Sequence, residues 1–132
     1  GLTGISSALN LSNSGLSITI LEANKIGSGA SGRNGGQLRI GMRKDQFYLE
    51  KKFGLEKAKF FWPIGLDAVS NVVDLIEKHK IDCALTPRVL HVGNTKKDYK
   101  YFQDEIEHMQ KNYSYNNYEY FDHNLIRDEV HS

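Results

Sequence analysis

Apolar positions along the chain follow two rhythms, and the switches between them mark the expected elements. Residues Gly1 to Leu11 are small and apolar in a helical spacing that stops at Ser12-Asn13-Ser14-Gly15. The next stretch, Leu16-Ser17-Ile18-Thr19-Ile20-Leu21, is short, β-branched and apolar up to the acidic Glu22, which predicts a buried parallel strand. Residues Asn24 to Gly41 carry no period and are crowded with glycine, serine, arginine and asparagine, so a structured loop is expected. From Lys44 to about His79 the helical period returns, with Val69, Val72, Val73 and Ile76 on one face and Asp74, Glu77 and Lys78 off it. Gly54 and Pro63 are expected to divide this region into two or three helical pieces.

After Pro87, Val89-Leu90-His91-Val92 reads as a strand. Asn94-Thr95 then begins a helix expected from Lys96 to Lys111. Tyr118 to Phe121 alternates as a second short strand, and a helical turn is expected from Asn124 to Val130. The biased tract Asn112 to Tyr118 suggests a stacking surface or, more simply, a polar turn feeding that strand. No internal repeat is visible.

Composition narrows the class. The 132 residues suit one domain, and 39% apolar with 25% charged residues describes a globular chain rather than a disordered one. Seventeen basic against sixteen acidic residues leave a formal charge of +1, too little to draw in nucleic acid. No apolar run approaches the roughly 20 residues of a membrane span. The single Cys83 excludes an internal disulfide and points to a reducing compartment, the cytoplasm. The first residue is Gly1, not methionine, and helical sequence begins at once, so a fragment cut at its N-terminus is expected.

Two constellations carry chemistry. Gly1-Leu2-Thr3-Gly4 opens a helix, and Glu22 follows eighteen residues after Gly4 at a strand end. In a dinucleotide fold such glycines let a pyrophosphate approach the helix N-terminus, and the acid accepts a ribose hydroxyl. Two of the three fingerprint glycines are present, without the strand before them; small residues packing a helix on a sheet give the same Gly-x-x-Gly spacing. The second constellation is Glu22-Ala23-Asn24-Lys25-Ile26-Gly27-Ser28-Gly29-Ala30-Ser31-Gly32-Arg33-Asn34-Gly35-Gly36-Gln37. Its backbone amides can lie along an extended cofactor, with Ser31 and Arg33 toward phosphate. A nicotinamide fold does not need it.

This second stretch resembles the FAD-dependent oxidoreductase family that includes D-amino-acid oxidase, glycine oxidase and sarcosine oxidase, and most closely its gamma-glutamylputrescine oxidase branch. Lys80-Ile81-Asp82-Cys83 and Leu125-Ile126-Arg127-Asp128-Glu129-Val130 also look like that branch. The resemblance implies an α/β fold: part of a Rossmann-like FAD-binding domain lacking its first strand (residues 1–43), a helical segment (44–84), and the start of an α+β substrate domain (85–132). It implies that Gly1 and Gly4 are the second and third fingerprint glycines and that Glu22 and Ala23 hold the adenosine ribose. Ala30 and Ser31 would lie along the pyrophosphate, Gly35, Gly36 and Gln37 beside the flavin ring, and Arg33 and Asn34 next to the cofactor. The family's Pro-x-Gly pattern is broken at Pro87-Arg88-Val89, which puts the local turn in question.

The implied activity is oxidation of the C–N bond of a small amine or amino acid by hydride transfer to FAD, with oxygen as the reoxidant. Catalytic residues are not assigned; in the family they fall largely beyond Ser132. The 132-residue piece by itself would neither retain FAD tightly nor turn over. Two other readings stand beside this one: an NAD(P)-dependent Rossmann dehydrogenase, and a truncated, non-catalytic member of the family. The five histidines show no paired metal-ligand spacing, so no metal site is expected, and His91 reads as a structural histidine. Gly29-Ala30-Ser31-Gly32 lacks the spacing of a hydrolase nucleophile elbow.

Overall fold

A computed structural model describes residues 1–122 and 125–126. Among these residues the regular elements are all helical: α1 (Leu2–Leu11), a single 3-10 turn at Ala30–Gly32, α2 (Gln46–Phe53), α3 (Leu55–His79) and α4 (Lys96–Tyr113). The chain divides into two compact units, Gly1–Leu38 and residues 39–132.

α1 begins and ends within a residue of its expected limits, closing where the Ser12 amide bonds the Leu9 carbonyl. Leu16–Leu21, Val89–Val92 and Tyr118–Phe121, expected as strands, form no ladder among the described residues. A strand exists only through a neighbour's hydrogen bonds, and periodicity reports the tendency without supplying the partner. Leu16 and Ile20 are accordingly exposed, and Leu21 is 91% exposed.

In the second unit, Asp45 caps α2 by accepting from the Tyr48 amide at 2.7 Å. Gly54 separates α2 from α3 with φ +82°, a conformation that favours glycine, so this division falls where the sequence predicts it. The division expected at Pro63 is absent, because α3 runs through it for 25 residues. Pro63 lies on the exposed side, where water can reach the Lys59 carbonyl that the ring leaves unpaired. The opposite side is held by Ala58, Trp62 and Gly65, all buried.

α4 starts with a capping box: the Thr95 hydroxyl accepts from the Asp98 amide at 3.2 Å, and the Asp98 carboxylate accepts from the Thr95 amide at 2.9 Å. The hydroxyl and amide of Thr95 hold the Asp98 carboxyl below its usual range. α4 continues two residues past its expected end, to Tyr113, and closes on Ser114 in the left-handed conformation. The helical turn expected over Asn124 to Val130 lies mostly outside the described residues; Leu125 and Ile126 are helical, with the Ile126 amide bonded to the Asp122 carbonyl.

A small core joins the three helices of this unit. Leu49, Ala58, Trp62 and Met109 are its buried apolar side chains, Met109 being only 1% exposed. The one buried polar side chain among the described residues, Gln46, donates to the Ala58 carbonyl at 2.9 Å and so ties α2 to α3. Glu50 joins α2 to α4, accepting from the Tyr113 hydroxyl at 2.6 Å and pairing with His108 Nε2 at 2.7 Å. Burial, then this carboxylate, pushes the Tyr113 hydroxyl up to about 12. The tract expected as a polar turn is therefore packed: Tyr113 and Tyr115 both lie against the Trp62 ring, at 5.6 and 5.1 Å, and Tyr118 stacks edge-on to Tyr115. Aromatic residues in a polar context still bury more surface than their neighbours can offset.

Candidate functional site

The first unit brings together residues that stand far apart in sequence. The N-terminus of α1 leaves its first amides without helical partners. One of them, Leu2 N–H, donates to the Ser31 hydroxyl at 3.0 Å, 29 positions away. Ser31 comes so close that a Cβ on Gly1 would meet its Oγ at 2.7 Å. The Ser31 hydroxyl thus stands at the N-terminus of α1, an end whose polarity favours negative charge.

The loop that carries Ser31 is shaped from within. Gly27 and Gly32 pack backbone to backbone: a Cβ on Gly32 would fall on the Gly27 carbonyl. Arg33 turns back on its own loop, with its guanidinium donating to the Ser28 carbonyl through Nε and Nη2. The Asn34 side chain donates to the Ala30 and Ser31 carbonyls at 3.2 and 3.0 Å, and its Oδ1 accepts from the Gly36 amide at 2.8 Å. Arg33 and Asn34 thus brace the turn that holds Ser31. Sequence reasoning pointed to these two residues as cofactor neighbours but held no sign of their bracing, nor of Ser28 as the acceptor.

Glu22 is exposed, and one of its carboxylate oxygens accepts from the Asn24 amide at 3.1 Å. Its other oxygen remains available to a hydroxyl donor. Ala23 is exposed beside it, and Ala30 is exposed at the start of the 3-10 turn. Gly4, Gly29 and Gly35 have open space where a Cβ would stand and show no positive φ, so neither crowding nor dihedral within the chain accounts for them. Gly36 and Gln37 follow, both exposed. The first unit thus sets the start of α1 against Ser31 and leaves Glu22, Ala23, Ala30, Gly36 and Gln37 exposed.

The second unit holds titratable groups that sequence spacing did not single out. Glu105 is raised above its usual value by burial and then by the Asp45 carboxylate, against the opposing pull of Arg39. Burial and Glu105 together push Tyr101 and Tyr118 up to about 12. His91 packs edge-on against Phe102 and is lowered by burial and by Arg39. Glu105, Tyr101 and Tyr118 were hidden because the residues gather around α4 from separate segments, whereas His91 already read as structural from the sequence. Among the described residues no group of three His, Cys, Asp or Glu side chains could hold a metal ion. No helix among them is long and apolar enough to cross a membrane.

Comparison with known proteins identifies the family. Residues 1–130 match the FAD dependent oxidoreductase family model. The chain is 36% identical over its whole length to gamma-glutamylputrescine oxidoreductase of Escherichia coli, covering 31% of that protein. It is 34% identical over 122 residues to a probable oxidoreductase OrdL of Rhizobium meliloti, covering 92% of this chain and 28% of that one. A second probable oxidoreductase OrdL, from Haemophilus influenzae, is 27% identical over 132 residues, all of this chain and 31% of that one. The chain therefore spans about a third of the length of the curated relatives it matches. No solved structure matches it.

Proposed function

The chain belongs to the FAD-dependent oxidoreductase family, and from that premise we propose that Gly1–Gln37 form part of the FAD seat of a larger enzyme that oxidises the C–N bond of an amine or amino acid. The observation that carries this reading is the Leu2 amide on the Ser31 hydroxyl, which joins the two segments the fingerprint needs. The similarity to gamma-glutamylputrescine oxidoreductase supports an amine of that kind as substrate.

Each residue has a part. The first amides of α1 and the Ser31 hydroxyl hold the pyrophosphate, where helix polarity and hydrogen bonding act together. Glu22 accepts from the adenosine ribose with the oxygen that Asn24 leaves free, and Ala23 lies beside it. Gly1 and Gly4 keep the helix end clear, and Ala30 lets the chain approach the phosphates. Arg33 and Asn34 maintain the shape of the turn, and Gly35, Gly36 and Gln37 pass along the ring. When bound, a flavin would supply the two-electron acceptor for C–N oxidation, with oxygen as its reoxidant. The α/β sheet of the FAD domain and the substrate domain that begins near residue 85 belong to the same proposal, as does a cytoplasmic location.

The test uses the full-length protein. Purified, it should be yellow, release FAD on denaturation, and form peroxide with gamma-glutamylputrescine or a related small amine. A colourless protein would refute the flavin site, and a yellow protein inert toward all amines would refute the reaction.

A further inference from the structure

Lysines and aromatic rings follow one another in an unbroken run across the outer sides of α2 and α3. Lys44 Nζ lies 5.4 Å from the centre of the Tyr48 ring, and Lys52 Nζ lies 5.9 Å from Tyr48 and 5.2 Å from Phe53. Phe53 then meets Phe61 edge-on at 6.1 Å, and Phe61 meets Phe60 in the same way at 5.9 Å. Tyr48, Phe53 and Ile64 are exposed, and Phe60 is 68% exposed. At about 100° per residue, position 60 falls opposite the buried Trp62, so this row stands outside the core built on Ala58, Trp62 and Gly65.

Charge concentrates on the same surface. Arg43, Lys44, Lys51, Lys52 and Lys57 are all exposed. Of the acids in residues 43–60, Asp45 caps α2, Glu50 faces His108 and Tyr113, and Glu56 is exposed. A chain with a formal charge of +1 thus gathers a local excess of cations around a cluster of projecting rings. Such a patch is drawn to an anionic surface within a Debye length, and rings beside it enter the boundary between headgroups and acyl chains.

We propose that the outer surface of the α2–α3 junction, from Lys44 to Ile64, docks this protein on an anionic phospholipid surface. The rings of Phe53 and Phe60, with Ile64, enter the interface, and the ammonium groups of Lys44, Lys51, Lys52 and Lys57 meet the lipid phosphates. Lysines that lie over the Tyr48 and Phe53 rings keep their ammonium groups beside the apolar surface, so both contacts form together. A second copy docked through the same patch would oppose like charges across a two-fold axis. A nucleic acid stacks its bases on open rings, whereas lysines already lie over Tyr48 and Phe53. Attachment is peripheral, since no helix among the described residues is long and apolar enough to cross a membrane. The proposal stands whether or not the first unit holds FAD.

The experiment sediments the full-length protein with vesicles of phosphatidylglycerol and phosphatidylcholine in equal parts, and with vesicles of phosphatidylcholine alone. Wild type should bind the anionic vesicles, leave the neutral ones, and be released as salt is raised. Phe60→Ser, and separately Lys51→Gln combined with Lys52→Gln, should each weaken binding about tenfold. All three side chains are exposed, so circular dichroism of both variants should match wild type. Lys96→Gln combined with Lys97→Gln removes the same charge from the exposed start of α4 and should leave binding unchanged.

A wild type that does not bind anionic vesicles overturns the proposal. Equal binding to neutral vesicles, or a tenfold loss in the α4 pair, overturns the role of this local charge. Wild-type binding in either patch variant overturns the surface, and a vesicle-free dimer that Phe60→Ser dissolves replaces the lipid with a second copy.

Discussion

Residues 1–38 bury no side chain, whereas the unit that begins at Arg39 buries Leu49, Ala58, Trp62 and Met109 around an aromatic cluster. The first unit keeps its shape through short polar contacts, Ser31 on Leu2, Arg33 on Ser28 and Asn34 on Gly36, and through glycines that allow backbone to meet backbone. Its apolar residues Leu2, Ile5, Leu16, Ile20, Leu21 and Ile26 remain exposed. The difference teaches that the geometry of a segment proposed as a ligand seat can be specified by local polar contacts without a core of its own. A net hydrogen bond contributes about 1 kcal/mol, against roughly 1.5–3 kcal/mol for a buried large side chain. The seat is shaped by the weaker kind of interaction.

The sharpest way to break the comparison is Trp62→Ala, which should cost the helical unit about 3–5 kcal/mol, since it removes the ring against which Tyr113 and Tyr115 pack. Denaturant unfolding followed by circular dichroism measures it. No single truncation among residues 1–38 should approach that loss, and one that did would show that the first unit has a core of its own. Glu22→Ala in the full-length protein should weaken FAD by about 1.5–3 kcal/mol, roughly ten- to a hundredfold, if its ribose hydrogen bonds are charge-assisted. Titration by flavin fluorescence decides it, and an unchanged affinity would remove Glu22 from the seat.

Glu50→Ala should destabilise the helical unit by about 1–3 kcal/mol, because it leaves the Tyr113 hydroxyl and His108 Nε2 without their shared acceptor. A loss near zero would place that pair on an ordinary solvated surface.

The smallest effect concerns pH. Burial holds the Glu105 proton more tightly in the folded chain than in the unfolded one. Its contribution is therefore most favourable below the unfolded pKa and declines as pH rises toward the folded value, staying unfavourable above it. Glu105→Gln should flatten that decline and stabilise the fold at neutral pH, seen as a gain in melting temperature that vanishes in acid. A gain of equal size at every pH would refute the assignment.

What could be read from the residues divides along the same line. Local signals were legible: the stop after Leu11, the Thr95 start of α4, and the break at Gly54 each depend on a few neighbouring side chains. The glycine-rich loop of Glu22 to Gln37 was legible for the same reason, since its irregular backbone follows from its own residue types. Pro63 misled because the cost of one lost backbone bond is outweighed by a packed face that spacing alone does not reveal. The three apolar segments misled because pairing needs a partner that periodicity cannot name. The roles of Arg33 and Asn34 as braces, and the close approach of Gly65 to the main chain of Gly41, arise only when segments meet; an interior helix glycine two residues after a proline was the one available hint of the latter.

At about 1.5 Å per residue, the 25 residues of α3 form a rod roughly 37 Å long. It is gripped near one end, at Ala58, Trp62 and Gly65, while Val69, Val72, Val73 and Ile76 run on only part-covered or exposed. From Gly65 to His79 the free arm is roughly 21 Å, so a tilt of a few degrees at the grip swings the tip by roughly one or two ångströms. A load on the Val69–Ile76 face is therefore carried to the grip at Ala58, Trp62 and Gly65, where Gly65 meets the main chain of Gly41.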